Sequence, residues 1–129
     1  MKTLKFSAFL FVLLLAGCTN NTKTLPPCKE YSKADLEMLD LIDQIKDENK
    51  EDMVFLKAFD EAQIYWVQYR NRQVKAVFPL SPRKYDFNVG DCKCEIYSDL
   101  TKLRIEELRK WVVGVPEGNC AGTYNKKRD

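Results

Sequence analysis

The stretch Phe59–Gln73, FDEAQIYWVQYRNRQ, sets four aromatic rings and two arginines in fifteen residues with no glycine or proline among them. Read at about 100° per residue, Phe55, Phe59, Ala62, Trp66 and Tyr69 fall within an arc of roughly 80°, the stripe of a helix that buries one face. Tyr65 lies beside the stripe, Ile64 and Val67 lie on the other side, and Arg72 points to solvent. Gln63 and Arg70 are one heptad apart and line the same edge, a turn either side of Trp66. A guanidinium there is half buried and needs a carboxylate or carbonyl partner. Asp40, Asp43 and Asp47 upstream are the candidates. A chain built around such a helix must supply further apolar helical faces to cover it.

It supplies two. Ser32 reads as an N-cap, followed by apolar residues at Leu36, Leu39, Ile42 and Ile45, with Met38 and Leu41 widening the stripe. The run Asp47–Asp52 holds no apolar residue and reads as a turn. No glycine or proline marks it, so one bent continuous helix remains the alternative. The aromatic helix is expected from about Asp52 to Val77. Pro79, Pro82 and Gly90 then make Phe78–Asp91 a loop. A third helix is expected from about Cys94 to Val113, with Tyr97, Leu100, Arg104, Leu108 and Trp111 on one face and Ile105 and Val112 beside it. Gly114 and Pro116 end it. The expected fold class is all-α, a small antiparallel three-helix domain.

The chain begins MKTLKFSAFLFVLLLAGCTN: Lys2 and Lys5, an apolar run, then Leu15-Ala16-Gly17-Cys18. The run is too short to span a membrane stably and reads as a signal peptide over residues 1–17. Small residues ahead of a cysteine resemble the lipobox cleaved by bacterial lipoprotein signal peptidase, which implies lipidation at Cys18. Thr19 rather than an aspartate follows, which implies sorting to the outer membrane in a Gram-negative envelope. Residues 18–31 then form a lipidated tether through Pro26-Pro27, 32–122 the helical domain, and 123–129 a basic tail.

Of the 21 basic and 19 acidic side chains, Lys2 and Lys5 lie in the leader, so the mature chain carries 19 of each. Zero net charge argues against nucleic acid as a partner. The charges are segregated, however. Glu30–Glu61 holds eleven acidic and four basic residues, and the chain from Ala62 onward holds eight acidic and thirteen basic. Four cysteines remain after lipidation, Cys28, Cys92, Cys94 and Cys120. An even number in an exported domain of this size reads as two disulfides. Cys92 and Cys94 are too close to bridge each other without strain, so each is expected to reach Cys28 or Cys120, in either order. With no histidine in the chain and no CxxC spacing, no metal site and no cofactor are expected.

The central motif Ala62-Gln63-x-x-Trp66-x-x-Tyr69-Arg70 resembles the signature of the LprI-type lysozyme inhibitor family, small exported helical domains. The downstream pattern Leu100-Thr-x-x-Arg104-x-x-x-Leu108-x-x-Trp111 and Gly118-Asn-Cys120-Ala-Gly122 is similar to the second half of its lipoprotein members. The resemblance covers about residues 33–122. The family's aspartate after the arginine is Asn71 here, and its following cysteine is Val74, which implies a different disulfide framework drawing on Cys92, Cys94 and Cys120.

The resemblance implies an envelope lipoprotein that blocks lysozyme or a related muramidase by protein–protein contact. Lysozymes are typically cationic, and Asp40, Asp43, Asp47, Glu48 and Glu51 offer a complementary field. The plain alternative for each of these carboxylates is a solvated helix face. A second reading is an interaction module of the envelope with another protein partner, using the Phe78–Asp91 loop or the basic tail. An enzyme is not expected: no nucleophile stands beside a base and no GxSxG or metal spacing occurs. Gln63, Trp66 and Arg70 are read mainly as a helix-packing cluster rather than a recognition site.

Overall fold

The computed structural model describes residues 28–125. Among them there are three α-helices and no strand: α1 Lys29–Glu48, α2 Met53–Val77 and α3 Val89–Val113. The signal peptide, Cys18, the first part of the tether and residues 126–129 lie outside the described residues.

Helix α1 begins at Lys29 with Cys28 as its N-cap, so Ser32 is an exposed residue inside the first turns rather than the cap. Cys28 is held in place covalently, by its disulfide to Cys94 in the first turns of α3. The helix ends at the charged run foreseen as a turn. Asn49 donates its side-chain amide to the Ile45 carbonyl, and Asp52 caps α2 by accepting from the Phe55 amide, each at the distance of a good hydrogen bond. Helix α3 starts five residues earlier than the sequence suggests. Gly90, read as a breaker, sits in its first turn, where the Asn88 side chain accepts from its amide at 3.1 Å.

The core joins Ala34, Met38 and Ile45 of α1, Phe55 and Phe59 of α2, and Ile105 and Leu108 of α3. Burial of these side chains is the main stabilising term. On α1 the buried row is Ala34–Met38–Ile45 with Leu41 and Ile42 beside it. Leu36 and Leu39 lie about a quarter turn or more away and are 64% and 48% exposed, against expectation. On α2 the buried set is Phe55, Phe59, Arg70 and Val74. The inward face is therefore rotated about 50° from the aromatic stripe, leaving Ala62, Tyr65 and Tyr69 exposed and Trp66 half buried. The rotation has a physical cause: two polar residues at the stripe's edge, Gln63 and Arg70, find partners on both neighbouring helices.

Contacts fix the register of the helices. Cys28 with Cys94 and Tyr31 with Tyr97, whose ring centroids are 5.1 Å apart, share a 66-residue offset between α1 and α3. Asp35 meets Arg70, Met38 meets Gln63 and Lys46 meets Asp60, so partner numbers fall along α2 as they rise along α1.

The expected second disulfide is not formed; Cys92 and Cys120 are free. Residues two apart on a helix point roughly 200° from each other, so only Cys94 faces Cys28. Cys92 stands about 30 Å along α3 from Val113, by the helical rise. Cys120 lies beyond that far end, in a tail pinned there by other means. Trp111 donates its indole N–H to the Thr123 hydroxyl at 3.1 Å, and its ring centroid lies 4.5 Å from that of Tyr124 with the planes tilted by 59°. The Asn125 amide accepts from the Val115 N–H and donates to the Val115 carbonyl. The tail is thus held by Asn125 and Tyr124 rather than by Cys120. Gly114 turns the chain into it with φ +81°, where a Cβ would also approach the Asn125 side-chain Oδ1 to 2.9 Å.

Candidate functional site

Two sets of residues drew attention in the sequence, and the structure puts them in different places. The first is the motif on α2. Arg70 is only 6% exposed. Its Nη1 donates to Asp35 Oδ1 at 2.8 Å and to the Thr101 hydroxyl at 3.0 Å, and that hydroxyl donates onward to the Tyr97 carbonyl at 2.7 Å. The guanidinium carbon lies 4.9 Å from the Trp66 ring centre, 5.3 Å from Tyr31 and 5.7 Å from Tyr97. An arginine enclosed by three rings and one carboxylate is stabilised by stacking as well as charge. The partner is Asp35, not Asp40, Asp43 or Asp47, because only Asp35 lies on the side of α1 that turns toward α2.

One turn along, Arg104 of α3 donates through Nε and Nη2 to the Gln63 carbonyl oxygen at 3.1 and 3.0 Å, and through Nη1 to Glu107 at 2.9 Å. The Gln63 amide nitrogen in turn approaches the Met38 sulfur at 3.6 Å. Trp66 lies between the two guanidiniums, 5.9 Å from that of Arg104. Three helices are thereby cross-linked through one polar layer. Burial raises the Tyr31 hydroxyl pKa above 10.0; Asp35 and Tyr97 add to the rise and Arg70 opposes it. Buried, paired and ringed by aromatics, these groups are arranged to hold the fold together. Of the motif, Arg70, Gln63 and Trp66 belong to this layer, while Ala62 and Tyr69 stand outside it.

The second set is the acidic face of α1. Asp40, Asp43, Asp47, Glu48 and Glu51 are all exposed. Asp40, Asp43 and Asp47 share an arc of roughly 60°; of the two leucines missed as surface residues, Leu36 falls within that arc and Leu39 lies beside it. From α2 come the exposed Ile64 and Asp60, which pairs with Lys46 of α1 at 2.8 Å. A shallow groove of about 540 Å³ lined by Lys46, Asp60, Gln63, Ile64, Val67 and Gln68 runs along this border. The face presents carboxylates and exposed leucines together.

Asp35, Thr101, Tyr31 and Tyr97 were missed as partners of Arg70. The signal that finds them is the 66-residue offset set by Cys28–Cys94, which carries Tyr31 onto Tyr97 and Asp35 onto Thr101. Among the described residues no group of three or more acidic or cysteine side chains is arranged to hold a metal ion, and no helix is long and apolar enough to cross a membrane. Comparison with protein-family models, curated proteins and solved structures finds no match to this chain.

Proposed function

We propose that this chain is an envelope lipoprotein, anchored through Cys18 and sorted to the outer membrane. In this reading a small antiparallel three-helix domain binds a cationic protein of the lysozyme or muramidase class and blocks it by contact rather than by catalysis. The observation that carries the reading is the outer face of α1, where Leu36 and Leu39, 64% and 48% exposed, stand among Asp40, Asp43 and Asp47. Carboxylates alone are a solvated helix face. Exposed leucines within them add apolar area that only a partner covers, and the carboxylates steer a basic partner to it. Glu48 and Glu51 extend the negative field around the end of the helix. The motif resemblance and the lipobox-like leader agree with this reading.

The test is lysis of peptidoglycan-bearing cells by a c-type lysozyme with and without the purified, oxidised protein, at low and moderate salt. Dose-dependent protection that weakens with salt is expected, and D40K/D43K/D47K should abolish it. Leu36→Ser with Leu39→Ser should weaken it at all salt concentrations, since apolar contact is not screened. No protection from protein with full helical content would overturn the lysozyme reading and leave an interaction module with another envelope partner.

A further inference from the structure

The loop joining α2 to α3, residues 78–88, is organised by its own aromatic side chains. Phe78, Tyr85 and Phe87 form a triangle with ring centroids 5.8, 6.3 and 5.5 Å apart, and the Leu80 N–H donates to the Tyr85 hydroxyl at 3.0 Å. Pro79 and Pro82 restrict the backbone, and a single 3-10 turn at Pro82–Lys84 presents Arg83 and Lys84. The cluster stands at the surface all the same: Val77, Leu80 and Phe87 are 47%, 55% and 49% exposed. Large apolar side chains grouped on a structured loop mark a contact surface. The same stretch supplies Lys75, Arg83 and Lys84, all exposed, and the half-buried Lys93, none of them in an ion pair among the described residues. Its carboxylates are Asp86 and Asp91, and Asp91 accepts from the Asn88 side-chain amide at 2.7 Å.

This loop shares an end of the bundle with the point where the leading chain enters. Asp35 meets Arg70, so Cys28 and Val77, each seven residues from that contact in opposite chain directions, lie at one level. Cys94, bonded to Cys28, places the start of α3 there too. Over residues 28–33 and 75–93 this end holds six basic and three acidic side chains. The opposite end carries the Asp47–Asp52 turn, with four acidic and one basic. The two ends are therefore oppositely charged, and the positive, aromatic one receives the incoming chain.

We propose that the 78–88 loop lies on an anionic phospholipid surface, with Leu80 and Phe87 at the headgroup boundary and Arg83 and Lys84 against lipid phosphates. Aromatic and leucine side chains flanked by Lys and Arg suit the bilayer interface, and the positive end is drawn to anionic lipid while the acidic turn is turned away from it. The orientation rests on the lipoprotein reading. Residues 18–27 are ten in number, so an anchor at Cys18 holds this end within about 35 Å of the bilayer, where weak affinity is enough.

The test uses residues 19–129, which contain every described contact of the fold and lack Cys18. Co-sedimentation is measured with vesicles of mixed phosphatidylglycerol and phosphatidylcholine and with vesicles of phosphatidylcholine alone. Binding at least tenfold tighter to the anionic vesicles is expected. R83E/K84E and L80S/F87S should each weaken it at least fivefold with unchanged far-UV circular dichroism, whereas K126E/K127E in the tail should leave it intact. Equal binding to both vesicles, or binding lost with the tail pair and kept with the loop pairs, would overturn the proposal. Binding to neither would overturn it as well and leave the loop to a protein partner. With Cys18 absent the result is independent of lipidation, which palmitate labelling of the full chain against Cys18→Ser tests by itself.

Discussion

Gln63 and Arg104 meet across the α2–α3 seam in a forked contact, with one amide oxygen accepting from two guanidinium nitrogens at 3.0 and 3.1 Å. The fork fixes which end of the Gln63 amide faces α3 and so turns its nitrogen toward Met38 on α1. Gln63→Leu removes the acceptor and leaves Arg104 with Glu107 alone. The expected loss is about 2 kcal/mol in urea unfolding, the cost of a buried donor left unpaired. Gln63→Glu should be better tolerated, since a carboxylate accepts from the same fork.

Asp35→Ala leaves the Arg70 guanidinium buried with only Thr101 and the rings around it. Breaking a buried ion pair from one side costs about 3 kcal/mol or more. Arg70→Met, which removes the charge as well and roughly keeps the volume, should cost less than Asp35→Ala. Chemical denaturation of the two variants and of the double mutant measures the coupling, and a double mutant as unstable as the sum of the singles would show that the pair contributes nothing.

The Cys28–Cys94 bond closes a 66-residue span. On the chain-entropy model its removal costs about 4 kcal/mol. C28S/C94S should fall by that order in thermal or urea unfolding, whereas C92S/C120S should leave stability unchanged. Peptide mapping without reductant should recover the 28–94 cross-link and find Cys92 and Cys120 alkylatable.

Alkaline pH should loosen the domain through Tyr31. Its hydroxyl ionises at higher pH in the folded chain than the ordinary value of 10.0, chiefly because of burial. The folded state therefore holds the proton more tightly than the unfolded one. This stabilisation is fully present below pH 10 and is lost as pH rises from there through the folded pKa. Tyr31→Phe cannot ionise, so its stability should decline less than the wild type's over that range; equal slopes in pH-dependent unfolding would exclude the assignment.

Helix number and the span of α2 were legible in the sequence because apolar spacing and the charged turn at Asp47–Asp52 speak for themselves. Which face of α2 turns inward was not. The aromatic stripe pointed to Ala62, Trp66 and Tyr69, but burial went to Arg70 and Val74 because Asp35, Thr101 and Arg104 await on the neighbouring helices. Pairings across 31 to 41 residues leave no local trace. Leu36 and Leu39 misled for the complementary reason: apolar identity marks a residue for burial only if a partner surface reaches it. Cysteine parity misled too, since an even count says nothing of Cys92 and Cys120 standing at opposite ends of a rigid helix. The acidic cluster was visible as composition, but the leucines among its carboxylates were not.

The disulfide sits at the first residue before α1, and this placement has a mechanical consequence. A pull arriving through the residues ahead of Cys28 does not meet the hydrogen bonds of the first helical turn, which would peel one at a time. It passes through a covalent link into the first turns of α3 and is shared at once by two helices along their lengths. Loosening α1 from that end therefore requires displacing the start of α3 with it.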